Sequence, residues 1–196
     1  MSVTFPFGLP QNQNFSQFIY YPNFLNPEEI DMVRGLWQRN EELEAKLSNG
    51  EEAYDDALRK TKLAFIEPQK ENQWLYEKLG SLAIKCNQER YGFDILGFHY
   101  NLQLAKYGEG DFFNWHLDFG VGPISNRKLS ISVQLSDPSE YEGGELQFMI
   151  NDDIINAPKE KGTVIIFPSF IMHRVTPITK GTRQSIVAWI AGPPYR

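Results

Sequence analysis

Residues 127–136, RKLSISVQLS, alternate apolar and polar side chains over the full length of a β-strand. Residues two apart in a strand lie on the same face, so this segment has two chemically different faces. One face carries Leu129, Ile131, Val133 and Leu135, and the other carries Ser130, Ser132 and Gln134. Further strand-like runs follow at residues 144–150, 162–168, 173–178 and 183–192, with turn-forming residues between them. Many short strands with frequent turns predict a barrel or a double-sheeted jelly roll.

Helical patterns precede this β-rich part. A first helix is predicted over residues 26–47, because Asn26 can act as its N-cap and Glu29 stands where a capping box needs a carboxylate. Apolar residues then recur at helical spacing. A second helix is predicted over residues 69–90, followed by Gly92 as a stop. Both apolar stripes are interpreted as packing surfaces of the helices against the rest of the chain.

The domain organisation follows from this change in texture. The segment between the helices, residues 48–65, begins polar and acidic. Its first half is interpreted as a mobile loop, and KLAFI at 62–66 as a strand. We expect an α+β, β-rich fold in a single domain. Its helical lead-in is predicted over residues 1–92 and its catalytic core over residues 93–196.

Composition excludes several classes of protein. The net charge of −6 disfavours nucleic acid as a partner, because phosphate neutralisation needs a basic surface. Cys86 is the only cysteine, so no disulfide can form within the chain. There is no basic, apolar leader and no apolar run near the roughly 20 residues that span a bilayer. The sequence therefore predicts a cytoplasmic protein without a membrane partner.

The stretch FFNWHLDFG, residues 112–120, places His116 and Asp118 two residues apart. At a strand end this spacing would present an imidazole and a carboxylate on the same side. The same pair also arises by chance, with Asp118 capping a turn. A third ligand would have to come from His99 or His173, the other histidines of the chain. Two histidines and one carboxylate suit non-haem Fe(II) with open coordination positions.

Arg183 lies ten residues after His173. If the segment TPITKG, residues 176–181, formed a hairpin, it would bring the two residues together. An arginine that faces a buried cavity needs an anion, and its planar fork suits a carboxylate. The alternatives for Arg183 are a surface position on a strand and a structural ion pair.

Three segments carry a resemblance to a known family: YGEGDFFNWHLD (107–118), RKLSISVQLSDPSEYEGGELQF (127–148) and GTVIIFPSFIMHRVTPITKGTRQSIVAWIAGP (162–193). With these segments the chain resembles the Fe(II)- and 2-oxoglutarate-dependent dioxygenases, in particular the prolyl 4-hydroxylase-like branch. The resemblance implies a double-stranded β-helix (a cupin-like jelly roll) with N-terminal flanking helices. It implies the cofactors Fe(II), 2-oxoglutarate and O2, with ascorbate as an additional ligand.

The resemblance also implies residue roles. His116, Asp118 and His173 would hold the iron, and Arg183 would bind the distal carboxylate of 2-oxoglutarate. Tyr107, nine residues before His116, matches a position whose hydroxyl approaches the cosubstrate. Thr182 or Ser185 could add a hydrogen bond to the same carboxylate. Trp189 and the EGGEL turn at 142–146 are interpreted as scaffold.

The implied reaction is hydroxylation of a C–H bond with release of succinate and CO2, first of all on a prolyl residue of a peptide or protein. Another protein side chain or a small molecule is an alternative substrate. The acidic segment 41–56 and the basic run 59–62 could form a lid over the substrate, or simply a solvated loop. Two rival classes are a jelly-roll protein with a non-oxygenase metal site and a binding module without catalysis.

Overall fold

The computed structural model describes residues 15–37, 43–44 and 58–194. In this part of the chain two α-helices lie in the N-terminal half, α1 (Pro27–Leu36) and α2 (Gln73–Cys86), and a π-helical turn (Asn87–Tyr91) follows the second. The strands are β1 (Ile19–Tyr21), β2 (Leu43–Glu44), β3 (Arg59–Lys60), β4 (Lys62–Ile66), β5 (Gly97–Phe98), β6 (Leu102–Tyr107), β7 (Phe112–His116), β8 (Arg127–Gln134), β9 (Tyr141–Gly143), β10 (Leu146–Ile150), β11 (Asp153–Asn156), β12 (Val164–Pro168), β13 (His173–Val175), β14 (Ile178–Gly181) and β15 (Arg183–Ala191).

Two antiparallel sheets form the core. The larger sheet has the order β1-β12-β8-β15-β6-β4-β2, and β5 pairs with one end of β15. The smaller sheet has the order β11-β10-β13-β7-β3, and β14 pairs separately with β9. Side chains of both sheets meet between them, as where the rings of Phe148 (β10) and Phe167 (β12) lie 4.9 Å apart. This arrangement confirms the predicted double-stranded β-helix.

The alternation in β8 separates the two sides of the larger sheet. Its apolar face packs under α1 and α2, together with buried residues such as Leu75 and Leu79 of α2. Burial of each such leucine contributes about 1.5–3 kcal/mol. The polar face of β8 is also buried, because it points towards the smaller sheet rather than to solvent. Ser130, Ser132 and Gln134 are therefore interior residues.

The helix boundaries follow local capping chemistry. The predicted capping box is present: Glu29 N donates to Asn26 Oδ1 and Asn26 N donates to Glu29 Oε2, both at 2.9 Å. The second predicted helix runs over Gln73–Cys86 and then continues as the π-helical turn. Gly92 ends it with a φ of +68°, a conformation that favours glycine.

The first helix is shorter than predicted. It ends at Leu36, and residues 43–44, predicted as helix, form β2 and pair with Lys62 and Leu63 of β4. The rest of the predicted helix beyond residue 37 and the predicted acidic loop lie outside the described residues. The strand predicted at 62–66 is confirmed with the same bounds, and it pairs with β2 on one side and β6 on the other. In the described part of the chain, neither α-helix is long and apolar enough to cross a membrane.

The predicted hairpin between His173 and Arg183 is wrong. β13 belongs to the smaller sheet and β15 to the larger one, and the segment between them forms β14, which pairs with β9. Gly181 permits this crossing with a φ of +78°, and a Cβ there would lie 2.1 Å from the carbonyl oxygen of Glu140. His173 and Arg183 therefore approach the same space from opposite sheets.

Candidate active site

Three predicted ligand residues meet at the ends of two adjacent inner strands of the smaller sheet. His116 ends β7 and His173 begins β13, and the two residues are cross-strand partners. Asp118 follows β7 by two residues, and its backbone N–H donates to the Ser169 carbonyl at 3.0 Å. One ligand atom of each of the three side chains lies within 4.8 Å of the other two. This cluster is the candidate metal centre among the described residues.

Backbone carbonyls hold both imidazoles in the same way. His116 Nδ1 lies 2.7 Å from the Asn114 oxygen, and His173 Nδ1 lies 2.9 Å from the Ile171 oxygen. A carbonyl can only accept, so Nδ1 carries the proton in each neutral ring and Nε2 keeps its lone pair. The Nε2 atoms lie 3.8 and 3.5 Å from the two carboxylate oxygens of Asp118. Both rings are thus oriented as metal ligands usually are.

The local electrostatics favour the ligand-competent protonation states. Burial, followed by the neighbouring His173, lowers the pKa of His116 to about 3. Burial alone would raise the pKa of Asp118, but the two histidines and the hydrogen bond from Ser130 outweigh it and lower that pKa below its ordinary value. At neutral pH the cluster therefore offers a neutral His116 and an ionised carboxylate, as metal binding requires.

A chain of hydroxyl groups fixes the carboxylate. Ser130 Oγ, on the polar face of β8, donates to Asp118 Oδ2 at 2.7 Å. Ser169 Oγ lies 3.0 Å from Ser130 Oγ and completes the chain. Because Ser130 has Oδ2 as its acceptor, Oδ1 keeps its lone pairs for another ligand. Asp118 is therefore positioned by the larger sheet as well as by its own strand.

Arg183 lies at the other end of the same space. It is 1% exposed, the least exposed charged residue among those described. Its guanidinium donates to Gln134 Oε1 at 3.0 Å and to Ser185 Oγ at 3.4 Å, while its Nε has no partner. It forms no ion pair with any described carboxylate. An unpaired buried charge is costly, so this position requires an anionic ligand.

One cavity of about 480 Å³, including its open mouth, joins the metal-ligand cluster to Arg183. Tyr107, predicted near the cosubstrate, lines it, is 2% exposed and is the cross-strand partner of Arg183. Its ring centre lies 5.5 Å from Arg183 Cζ. A cation site and an anion site thus share one enclosure.

Comparison with known proteins agrees with this geometry. Residues 102–191 match the model of the 2OG-Fe(II) oxygenase superfamily. This range contains the three candidate metal ligands and Arg183. A PKHD-type hydroxylase of Synechococcus sp. (strain CC9902) is 35% identical over 91 residues, or 46% of this chain and 41% of the relative. A PKHD-type hydroxylase of Gloeothece citriformis (strain PCC 7424) is 28% identical over 171 residues, or 86% of this chain and 76% of the relative.

Over residues 102–191 the chain is therefore similar to the 2-oxoglutarate- and Fe(II)-dependent oxygenases. Its match spans about two fifths of the length of the Synechococcus relative. Solved structures show the same fold. A prolyl hydroxylase from Trichoplax adhaerens, in complex with a hypoxia inducible factor peptide fragment, has a TM-score of 0.77 at 20% identity, over 92% of this chain and 85% of that one. A Pseudomonas putida prolyl-4-hydroxylase has a TM-score of 0.71 at 19% identity, over 90% and 93%.

The structure departs from the predicted strand geometry in β7. His173 pairs with His116 and Val175 pairs with Phe113, so between these pairs two residues of β7 oppose one of β13. Such a bulge shifts the alternation by one residue. Phe113 therefore lines the cavity, whereas Asn114, two residues before His116, is exposed and contributes only its carbonyl to the site. Local alternation gave no sign of the bulge, because it depends on the partner strand.

The other residues named from the sequence differ in whether they line the cavity. Ser185 lines the cavity beside Arg183, whereas Thr182 does not line it. Trp189 is buried as expected and also lines the cavity, and Arg127 stacks on its ring at 3.8 Å. His99, the other candidate third ligand, instead accepts a hydrogen bond from Arg127 through Nδ1 at 3.1 Å.

Ser130 and Gln134 are residues of the site whose roles the amino-acid sequence did not predict. One feature of the sequence could have indicated both roles. Each residue has a polar side chain on one face of a strand whose opposite face is wholly apolar. Arg59 was predicted to lie in a lid or a solvated loop. In the structure Arg59 lies in β3 and lines the cavity.

Proposed function

We propose that this oxygenase hydroxylates a C–H bond of a prolyl residue in a peptide or protein, using Fe(II), 2-oxoglutarate and O2. The observation that carries the proposal is the enclosure of the His116–Asp118–His173 cluster and the unpaired Arg183 in one cavity. The cluster supplies two imidazole nitrogens and a carboxylate, the donor set of non-haem Fe(II) oxygenases. The guanidinium needs a carboxylate, which the distal end of 2-oxoglutarate provides.

When bound, iron and 2-oxoglutarate supply the oxygen chemistry: one oxygen atom of O2 enters the substrate and the other enters succinate, with release of CO2. The chain's own residues position the reactants. His116, Asp118 and His173 would hold the metal through two imidazole nitrogens and one carboxylate oxygen. Arg183, with Ser185 beside it and Tyr107 across the strand pair, fixes the cosubstrate at the closed end. The enclosed cavity limits access of water during the reaction.

The choice of a prolyl substrate is supported by structural similarity to prolyl hydroxylases, and not by a contact between this protein and a substrate. The structural neighbours include prolyl hydroxylases, and that of Trichoplax adhaerens is in complex with a peptide. The net charge of −6 argues against the alternative of nucleic acid. A peptide segment suits a cavity with an open mouth.

Anaerobic titration tests the cofactor part of the proposal. Addition of Fe(II) and 2-oxoglutarate is expected to give a weak visible metal-to-ligand charge-transfer band, and His116→Ala is expected to abolish it. Absence of the band in the wild-type protein would contradict the oxygenase assignment and favour a non-oxygenase metal site.

Mass spectrometry tests the substrate part. A panel of proline-containing peptides and proteins is incubated with Fe(II), 2-oxoglutarate and O2, with Asp118→Ala as the inactive control. A gain of one oxygen atom on proline, with succinate formed in equal amount, is expected. Oxygen on another side chain or on a small molecule would replace the prolyl assignment while preserving the reaction class.

A further inference from the structure

Two polar residues of the cavity have no role in the chemistry described above. Arg59 lies on β3, the edge strand of the smaller sheet, and Gln103 lies on β6 of the larger sheet. Both line the same cavity as the metal-ligand cluster and Arg183. The two residues therefore border one space from its two opposing sheets.

Arg59 is held in the cavity wall by an aromatic stack. Its Cζ lies 4.5 Å from the ring centre of Phe113, and the Phe113 ring stacks on that of His116 at 3.4 Å with an interplanar angle of 9°. Arg59 Nε is buried without a hydrogen-bond partner, and the guanidinium forms no ion pair with a described carboxylate. A buried donor on a cation is costly to leave unpaired, so this position needs an acceptor oxygen that the described residues do not supply.

Gln103 is the second incomplete group. Its Oε1 is buried and has no partner. Gln103 pairs with Val187 in the larger sheet, while Tyr107 pairs with Arg183 four residues further along the same two strands. Four residues of strand correspond to about 13 Å, so Gln103 lies well away from the proposed cosubstrate anchor. An N–H donor from another molecule would complete it.

We infer that Arg59 and Gln103 form a substrate-binding pair that holds a planar carbonyl group beside the metal. The Arg59 guanidinium donates to a carbonyl or carboxylate oxygen, and Gln103 Oε1 accepts from the N–H attached to that carbonyl. This inference rests on the proposed function and adds the substrate chemistry. A peptide group has both partners, whereas a free carboxylate has the acceptor alone.

Small proline derivatives test the pair without knowledge of the natural substrate. The probes are acetyl-L-proline N-methylamide, which has a C-terminal carbonyl and an N–H, acetyl-L-proline methyl ester, which lacks the N–H, and acetyl-L-proline, which ends in a carboxylate. Binding to the anaerobic Fe(II)·2-oxoglutarate complex is measured by calorimetry. Formation of the charge-transfer band is recorded first, because its absence refutes the oxygenase assignment independently of the probes.

Three variants and one control separate the roles. Arg59→Leu is expected to raise the Kd of the N-methylamide by about tenfold or more, because it removes a charged hydrogen bond. Arg59→Lys, which keeps the charge but not the fork, should also weaken binding. Gln103→Leu should abolish the preference of the wild type for the N-methylamide over the methyl ester. Lys60→Gln removes a neighbouring exposed charge and should leave every Kd unchanged.

The outcomes decide both the inference and the source of the carbonyl. Preference for the N-methylamide over acetyl-L-proline supports binding of an internal peptide group, whereas the reverse order would overturn the pair, because a carboxylate offers no N–H to Gln103. An unchanged Kd for 2-oxoglutarate in each variant shows that the fold and the anchor are intact. The inference is overturned if Arg59→Leu and Gln103→Leu bind the N-methylamide as the wild type does. It is equally overturned if the wild-type complex forms its band but binds none of the probes.

Discussion

The two ends of the cavity have opposite electrostatic requirements. The metal-ligand cluster combines an ionised carboxylate with imidazole lone pairs and therefore needs a cation. Arg183 is a buried cation without a carboxylate partner among the described residues and therefore needs an anion. Neither end neutralises the other. A dianionic cosubstrate that chelates a metal would satisfy both ends at once. The presence of both ends in one cavity therefore says more about the ligand than either end does alone.

The ends also differ in how they are built. The cluster sits where β7 ends and β13 begins, and backbone carbonyls orient its imidazoles. Arg183 instead begins β15, a strand with hydrogen-bonded neighbours on both sides, and side chains hold its guanidinium. Substitutions at the cluster should therefore change the affinity for the metal, and substitutions at Arg183 should change the affinity for 2-oxoglutarate.

Removal of a metal ligand should have the largest effect. His173→Ala is expected to lower the affinity for Fe(II) by more than the roughly 100-fold that loss of a supporting partner can cause, and to abolish succinate formation. Calorimetry with Mn(II) as an inert substitute measures the affinity. His99→Ala is the matched control, since His99 bonds to Arg127 rather than to the cluster. Equal losses in the two variants would contradict the assigned ligand set.

Arg183→Met should weaken the anion end alone. The Kd for 2-oxoglutarate is expected to rise by about 30-fold or more, because truncating one member of a buried charge pair costs about 2–5 kcal/mol. The Kd for Mn(II) without cosubstrate should not change. Lys180→Met, at an exposed lysine, serves as the charge control. If the variant kept its affinity for 2-oxoglutarate, the anchor would have to lie elsewhere.

Ser130→Ala tests the link between the larger sheet and the cluster. Loss of its 2.7 Å hydrogen bond to Asp118 is expected to lower Mn(II) affinity by about tenfold or more. Ser132→Ala, on the same face of β8, should bind Mn(II) as the wild type does. A wild-type affinity in Ser130→Ala would show that β7 and its following turn position the carboxylate unaided.

The smallest effect is a pH dependence of the metal-free protein. Burial and His173 lower the pKa of His116 from its ordinary 6.5 to about 3 in the folded state, so below pH 6.5 the unfolded state binds the proton more readily. The stability from this group is present above pH 6.5 and lost as pH falls towards 3. Denaturant titrations should show that the difference in unfolding free energy between wild type and His116→Gln stays constant above pH 6.5 and shrinks below it. A constant difference down to pH 4 would contradict the shifted pKa.

Features that depend only on residues close together in the chain could be predicted from the amino-acid sequence. The capping box at Asn26, the two faces of residues 127–136 and the two-residue spacing of His116 and Asp118 are local patterns, and each is present in the structure. The likeness of longer segments to a known family then connected His173 and Arg183 with them. Chain-local geometry and side-chain chemistry are sufficient for such features.

Which sheet each strand joins, and which side chains enter the cavity, became clear only from the tertiary structure. The assignment of β13 and β15 to different sheets, the bulge that turns Phe113 rather than Asn114 into the cavity, and the approach of Arg59 all depend on partner strands distant in sequence. The polar face of β8 has the same alternation as a solvated strand, and only the sheet opposite makes it the interior wall that holds Asp118. The physical reason is that hydrogen bonds between strands, which no single segment encodes, set register and sheet membership.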